Sequence, residues 1–227
     1  MFEQKPLQHH IQKFIIGVLI HKKYARFRDL RPPKTDTNLF SYHLKVLMKE
    51  KWVEKAEVGY TLSKNGLAYV DRVSLEKLNI RSQPKIISML LIQNSEGDVL
   101  VQRRSKQPYI DTWTLPYGKT HIDDASIEVG ARREALEKLN YSPDILRHAG
   151  DAYIRVETDG ELLSTTLAHI FRFEADDIAE TDSLQWVQPL KLPRLQLAPA
   201  VEDIVSRSFF GDDHFFAEFT HEWVSAP

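Results

Sequence analysis

Apolar positions recur at three- and four-residue steps in the first third of the chain, and as alternating or unbroken runs beyond it. Ile11, Phe14, Ile15, Val18 and Leu19 follow the first pattern and predict a helix with one buried face. "FRDLRPP" predicts a short helical turn stopped by Pro32 and Pro33, because proline lacks an amide proton and disfavours helix in the residue before it. The next helix is predicted in "KTDTNLFSYHLKVLMKEKWVEK", with Thr35, Asp36 and Thr37 as N-cap candidates and Leu39, Tyr42 or His43, Val46 and Leu47 along one side. "WVEKAEVGYTLS" alternates around Gly59 as a short hairpin does, and "SKNGLAYVDRVSLEKL" returns to helical spacing.

From Lys85 the texture becomes strand-like. "KIISMLLIQ" and "DVLVQRRS" flank the turn "NSEGD" and predict a hairpin; "DAYIRVET" and "STTLAHIFRFE" flank "DGE". Between these pairs lies "YGKTHIDDASIEVGARREALEKLNY", a Gly-led acidic loop that runs into a helix. "SLQWVQPLKLPRL" and the amphipathic "APAVEDIVSRSFF" close the region as strand, loop and helix, so the mixture implies an α+β or α/β/α sandwich domain.

Charge divides at the same place. Cut before Pro84, the first 83 residues hold 16 of the 30 Lys/Arg and 8 of the 32 Asp/Glu, a net of +8. The remainder holds 14 basic and 24 acidic residues, a net of −10. This asymmetry predicts two domains, residues 1–83 serving a polyanion and residues 84–227 serving another purpose. With no Cys there is no disulfide framework and no thiolate chemistry. Neither a membrane span nor a signal peptide is written in the chain, which predicts a cytoplasmic protein with no membrane partner.

"NLFSYHLKVLMKEKWVEK" followed by "GYTLSKNGLAYV" resembles the winged helix-turn-helix domains of bacterial regulators of the arsenic-repressor and multiple-antibiotic-resistance types, over about residues 8–75. That resemblance implies double-stranded DNA as partner. Thr37, Asn38, Ser41, Tyr42 and Lys45 suit a helix face entering the major groove, Lys34 suits the phosphate backbone, and Lys55 and Tyr60 lie on the wing. Tyr42 packing inward and Lys45 serving only solubility are the plainer alternatives, and an apolar exposed face would instead mark a protein-docking scaffold.

The region of about residues 85–210 resembles the Nudix family, whose signature is Gly, five residues, Glu, seven residues, Arg-Glu, an aliphatic, any residue, Glu-Glu, any residue, Gly and an aliphatic. Arg133, Glu134 and Glu137 match the Arg-Glu and the first of the paired Glu. Lys138 replaces the second, Asn140 the terminal Gly and Tyr141 the last aliphatic, and the loop from Gly118 holds one extra residue. Counting forward places the loop acid on Asp124; counting back places it on Ala125. Asn140 is a mild change, since Asn tolerates the left-handed turn that ends a helix. Lys138 is not mild: residues 134 and 138 share a helix face, and an ammonium about 4 Å from a divalent cation repels it by roughly 4 kcal/mol per unit charge at a dielectric near 20. The same spacing also makes Glu134 and Lys138 an ordinary helix-stabilising ion pair.

A degenerate box predicts a pocket that binds without cutting. The resemblance implies a phosphorylated effector, with Arg103, Arg104, Trp113, Tyr117, Gly118, Lys119 and Arg133 as candidate contacts, because guanidinium forks suit phosphate. Adjacent Arg103 and Arg104 point to opposite faces of a strand, and Arg133 in this family often braces the helix and loop. Together the halves resemble Nudix-related transcriptional regulators with the domain order reversed. They imply a regulator that senses a nucleotide-sugar-like or other diphosphate metabolite, needs no cofactor and forms a homodimer on palindromic DNA. The alternative is an active Nudix hydrolase using Mg2+ or Mn2+, with Glu134 and Glu137 catalytic and Glu134, Glu137 and Asp124 as metal candidates, assisted by Asp123, Glu128, Glu157 or Glu161. The aromatic "FFGDDHFFAEFTHEWV" is expected to cover either a neighbouring subunit or its own domain.

Overall fold

A computed structural model describes residue 7 and residues 9–71, 83–210 and 214–224. The chain forms two units, Met1–Ser82 and Gln83–Pro227. No helix among the described residues is long and apolar enough to cross a membrane.

In the first unit the order is helix α1 (His10–His21), a 3-10 turn (Phe27–Leu30), helix α2 (Thr37–Lys49), strands β1 (Val53–Ala56) and β2 (Gly59–Leu62), and helix α3 (Lys64–Val70). The helical spacing read as far as Leu78 runs beyond residue 71, outside the described residues. Asp36 caps α2, its Oδ1 accepting from the backbone N–H of Asn38 and Leu39 at 2.8 and 3.1 Å. With the helix started there, Phe40, His43, Leu44 and Leu47 form the buried stripe, and Leu39 and Tyr42 are exposed. The expected face is thus off by one position at its start, Phe40 in place of Leu39, and of Tyr42 and His43 it is His43 that turns inward, because the i, i+3, i+4, i+7 set runs from Phe40. α1 buries Ile11, Ile15, Ile16 and Leu19 against this stripe, and Leu30, Trp52, Val53, Leu62 and Tyr69 complete the core.

The second unit is a mixed sheet with a helix layer on each face. Its elements are β3 (Lys85–Gln93), β4 (Val99–Arg103), β5 (Trp113–Thr114), β6 (Tyr117–Lys119), α4 (Ile127–Leu139), β7 (Arg147–Thr158), β8 (Glu161–Glu174), β9 (Leu184–Val187), a 3-10 turn (Pro189–Arg194), α5 (Val201–Phe210) and β10 (Phe215–Glu222). The strand order is β10-β7-β8-β3-β4-β5, with β6 also on β3 and β9 on β4. β3 is the hub. Leu90 and Ile92 enter the core on the α4 side with Ala131 and Ala135. Ile87, Met89 and Leu91 enter the opposite core with Val201, Ile204 and Val205 of α5. Burial on both faces explains why its sequence is an unbroken apolar run.

Two strand expectations change. β3 and β4 make a hairpin only at its closed end, where Gln93 faces Val99; further back that edge of β3 pairs with β6, its other edge pairs with β8 throughout, and β4 pairs with β9 and β5. The sheet therefore forks between β4 and β6. The aromatic C-terminal stretch is the edge strand β10, parallel to β7 from Phe215 opposite Gly150 to Glu222 opposite Glu157. Phe215 and Phe219 pack on the α5-side core and Ala217 between them is buried, so this stretch covers its own domain.

Candidate functional site

The fork in the sheet opens a cavity of about 410 Å³ between the ends of β4 and β5, strand β6 and the side of α4. Arg103, Arg104, Lys106, Lys119 and Lys138 line it, with Glu134 as the one acid in the lining. The basic run that ends β4 supplies three of these cations. Arg104 is the fixed one: Nε and Nη2 donate to the Pro108 carbonyl at 3.1 and 2.6 Å, Nη1 donates to the Tyr117 hydroxyl, and the guanidinium stands 5.3 Å from the Tyr117 ring centre. Arg103 also lines the cavity and pairs at 3.0 Å with exposed Asp111.

A second cavity of about 390 Å³ shares Arg104, Lys106, Thr114, Tyr117 and Lys119 with the first and extends over Ile87, Met89, Tyr109, Ile154 and Val156. The two are lobes of one site, one charged and one largely apolar. Lys85 lines the apolar lobe; burial, then the nearby Lys119 and Arg104 charges, push its pKa below the ordinary lysine value. A positive field of that kind attracts an anion into the site.

Helix α4 is set by its ends. The Ser126 side chain accepts from the Val129 backbone N–H, and Asn140 ends the helix in the left-handed region at φ 50 and ψ 37. Asn140 thus performs the terminal turn for which it was read as a fit substitute. Within the helix each charged side chain has a partner. Arg132 holds Glu128 at 3.0 Å. Arg133 donates to Asp124 through Nε at 3.1 Å and Nη2 at 3.0 Å, to Glu134 Oε1 through Nη1 at 2.7 Å, and to the Lys119 carbonyl at 3.1 Å. Glu134 is 5% exposed, and its other oxygen lies 3.9 Å from Lys138 Nζ. Glu137 is exposed and stands 3.5 Å from Arg133.

The loop ambiguity is thereby decided geometrically. Asp124, the residue reached by counting forward from Gly118, is the acid that meets Arg133, and it also accepts from the His121 backbone N–H at 2.7 Å. The Arg133 hydrogen bonds, then the His121 amide, hold its pKa down to about 2. Arg133 is pushed above the ordinary arginine value in return, by Asp124 first. Gly118 matters for sterics: a Cβ there would lie 1.7 Å from the Glu134 carboxyl carbon, so only glycine lets β6 pass over that carboxylate.

Of the candidate effector contacts, Arg103, Arg104, Tyr117, Gly118 and Lys119 line the cavity. Arg133 is turned into the Asp124–Glu134 brace and does not line it, nor does Trp113, which packs on the α5-side core with backbone bonds of 2.8 Å to Gln196 and Ala198. Lys106, Lys138, Lys85 and Tyr109 were missed as lining residues. Lys106 ends the run "QRRSK", which was a legible signal; the others arrive only through the fork. Among the acids offered as metal auxiliaries, Glu128 is held by Arg132, and Glu157 by Arg155 at 2.6 Å.

This carboxylate set does not fit a magnesium ion. Magnesium needs oxygens with no competing cation at about 2.0–2.1 Å, whereas Asp124 and Glu134 are bonded to Arg133, and Lys138 faces Glu134.

In the first unit, Lys34, Thr37, Asn38, Tyr42, Lys45 and Lys55 are exposed, and Ser41 and Tyr60 are partly buried. Thr37 accepts from Arg31 at 2.8 Å, and the Tyr60 backbone is bridged to Ala25 at 2.9 and 3.0 Å. Thr37, Asn38, Ser41 and Lys45 thus share the outward side of α2.

A search of curated proteins finds no match to the chain. Among solved structures, the MutT protein of Bacillus halodurans superposes with a TM-score of 0.50 at 16% identity, covering 61% of this chain and 90% of that one. The NUDIX domain of Shewanella oneidensis NrtR, solved with ADP ribose, gives 0.48 at 14% identity over 63% of this chain and 96% of that one. The same NrtR solved with a 27mer DNA gives 0.47 at 16% identity over 54% and 59%. The family model described as the NUDIX domain matches residues 83–208, more than half of the chain. By that match the chain belongs to the NUDIX domain family.

Proposed function

We propose that the protein is a DNA-binding transcriptional regulator whose NUDIX domain holds a nucleotide-sugar-like or other diphosphate metabolite without efficient hydrolysis. The observation that carries this reading is the combination of a cation-lined cavity with carboxylates already engaged by Arg133 and Lys138. Phosphate oxygens suit the charged lobe, Arg104 above all, because its guanidinium is held in place before a ligand arrives. The apolar lobe, walled by Tyr109, Ile154 and Val156, suits the nucleoside or other ring system of such a ligand. No cofactor is required for binding alone.

The first unit supplies the DNA-binding side of the proposal, as a winged-helix domain spanning about residues 1–83, with the NUDIX domain over 84–227. An exposed outward side of α2, Lys34 before it and Lys55 on the hairpin, in a segment of net charge +8, support this assignment. A homodimer on a palindromic operator follows from the use of such domains.

One observation favours the hydrolase reading: Glu137 is exposed and held only at 3.5 Å, so it is the carboxylate of the box nearest to availability. A single comparison separates the two. Purified protein is offered ADP-ribose, NADH and nucleoside triphosphates with Mg2+ or Mn2+, with binding followed by calorimetry and cleavage by product analysis. Binding with no turnover supports the sensor; turnover abolished by Glu134→Gln establishes the hydrolase.

A further inference from the structure

Away from the cavity, three histidines converge on one carboxylate. Asp151 on β7 is opposite His169 on β8, so both side chains leave the same face of the sheet. His148 precedes Asp151 by three residues, a spacing that in a regular strand sends two side chains to opposite faces. A register shift between His148 and Gly150 adds one residue to β7 and returns the His148 ring to the side of Asp151. His169 Nδ1 then lies 2.6 Å, and His148 Nε2 2.9 Å, from the same oxygen, Asp151 Oδ1. His214, just before β10, stands with Nε2 3.9 Å from Asp151 Oδ2, its ring edge-on to His148 at 5.0 Å between centroids.

The surroundings hold this convergence in place. Phe171 stacks on the His148 ring at 5.1 Å and 28°, restricting its rotation. A Cβ at position 150 would lie 2.5 Å from the Phe215 carbonyl oxygen, so Gly150 permits the close pairing that brings His214 to the group. His169 is the innermost donor, with 13% of its side chain exposed, and His148 opens to solvent at 38%.

We propose that His148, Asp151 and His169, with His214 as fourth donor, bind a zinc-class transition-metal ion that ties the edge strand β10 to β7 and β8. One donor atom from each of the first three residues lies within 4.8 Å of the others. Zinc takes imidazole nitrogen and carboxylate oxygen at about 2.0–2.2 Å in a tetrahedron, whose corners lie roughly 3.4 Å apart, so small side-chain adjustments seat the ion. Imidazole-rich donors favour zinc, nickel or copper over magnesium and calcium, which distinguishes this site from any use of the carboxylates on α4. A fourth ligand from beside β10 turns metal occupancy into a clasp on the C-terminal strand.

The test uses full-length protein without a polyhistidine tag, stripped with a chelator. Zinc is titrated by calorimetry, cobalt by its visible absorption, and unfolding of the NUDIX unit is followed with and without metal. Expected are one zinc per chain, an intense tetrahedral cobalt spectrum, a raised unfolding temperature with zinc and none with magnesium. His148→Asn and Asp151→Asn each reduce zinc affinity at least a hundredfold, and His214→Asn removes most of the thermal shift. His148→Asn lies at the partly exposed end of the group and keeps the unfolding temperature of the stripped wild type. The first unit has its own stacked histidines, His9 and His43, 3.8 Å between ring centroids. Zinc binding that is unchanged in His148→Asn and lost in His9→Asn overturns the proposal, as does the absence of any zinc binding.

Discussion

Helices α2 and α4 are each 13 residues long and each start on a side-chain cap, Asp36 in one and Ser126 in the other, yet they carry charge in opposite ways. On α2 the polar side is open: Asn38 and Lys45 are exposed, and among the described residues no ion pair engages Lys45. On α4 all six charged residues are paired, Glu128 with Arg132, and Arg133, Glu134, Glu137 and Lys138 in a second network. A surface helix leaves its charges available for a partner. A helix packed beneath β6 ties its charges into internal order, and four of the five cavity cations, Arg103, Arg104, Lys106 and Lys119, come from the opposite wall.

The contrast breaks most visibly at Arg133. Arg133→Ala removes the guanidinium that joins partly buried Asp124 to buried Glu134, leaving Glu134 only Lys138, and the loss of a buried partner costs about 3–5 kcal/mol. Urea denaturation of the variant measures it directly. A change well under 1 kcal/mol would mean that the α4 network is no more integral than a surface pair.

Acid probes the same brace more gently. Asp124 has a folded pKa of about 2, below the roughly 3.9 of an unfolded aspartate. A depressed carboxylate stabilises the fold above the unfolded value, and that contribution fades as pH falls from about 4 through 2. Stability measured across this window should decline in the wild type and decline less in Asp124→Asn.

Arg104→Ala sharpens the other side of the comparison, the claim that the opposite wall does the binding. Losing a charge-assisted contact to a diphosphate should weaken ADP-ribose or a related ligand by about 1.5–3 kcal/mol in calorimetry. Equal affinity in both proteins would remove Arg104 from the site.

The smallest stability effect belongs to α2. Lys45→Glu should change stability by less than about 0.5 kcal/mol, since the side chain is exposed and engages no ion pair among the described residues. It should nevertheless weaken binding to random duplex and make that binding less sensitive to salt. Stability and DNA affinity falling together would show that the residue is structural.

Much of this was visible in the chain before folding was considered. The apolar steps located α1 and α2, the signature around Arg133 and Glu134 located α4, and Asn140 was recognisable as a left-handed helix end because its short amide tolerates that turn. "FFAEFTHE" also alternates, as the edge strand β10 requires, but its aromatic content suits covering a surface as well as pairing in a sheet. The buried side of α2 was misplaced at Leu39 because the phase of a helix depends on where its cap lies, and Thr35, Asp36 and Thr37 all qualified. The loop acid could not be chosen by counting, since one extra residue makes both frames equal until Arg133 selects Asp124. The histidine group was illegible for a similar reason: a bulge at His148 reverses strand parity, and no local sequence pattern announces it.

By itself the amino-acid order determined the two-part division of charge, most of the element types and the Glu134–Lys138 spacing, because these depend on spacing along the chain and on side-chain chemistry. Tertiary structure alone decided which charges remained available. Whether Arg133 meets a ligand or a carboxylate, and whether Lys106 and Lys138 line one cavity, depends on strands and helices far apart in sequence being brought within a few ångströms. Electrostatic pairing acts over those short distances, so the fork between β4 and β6 sets the chemistry of the site.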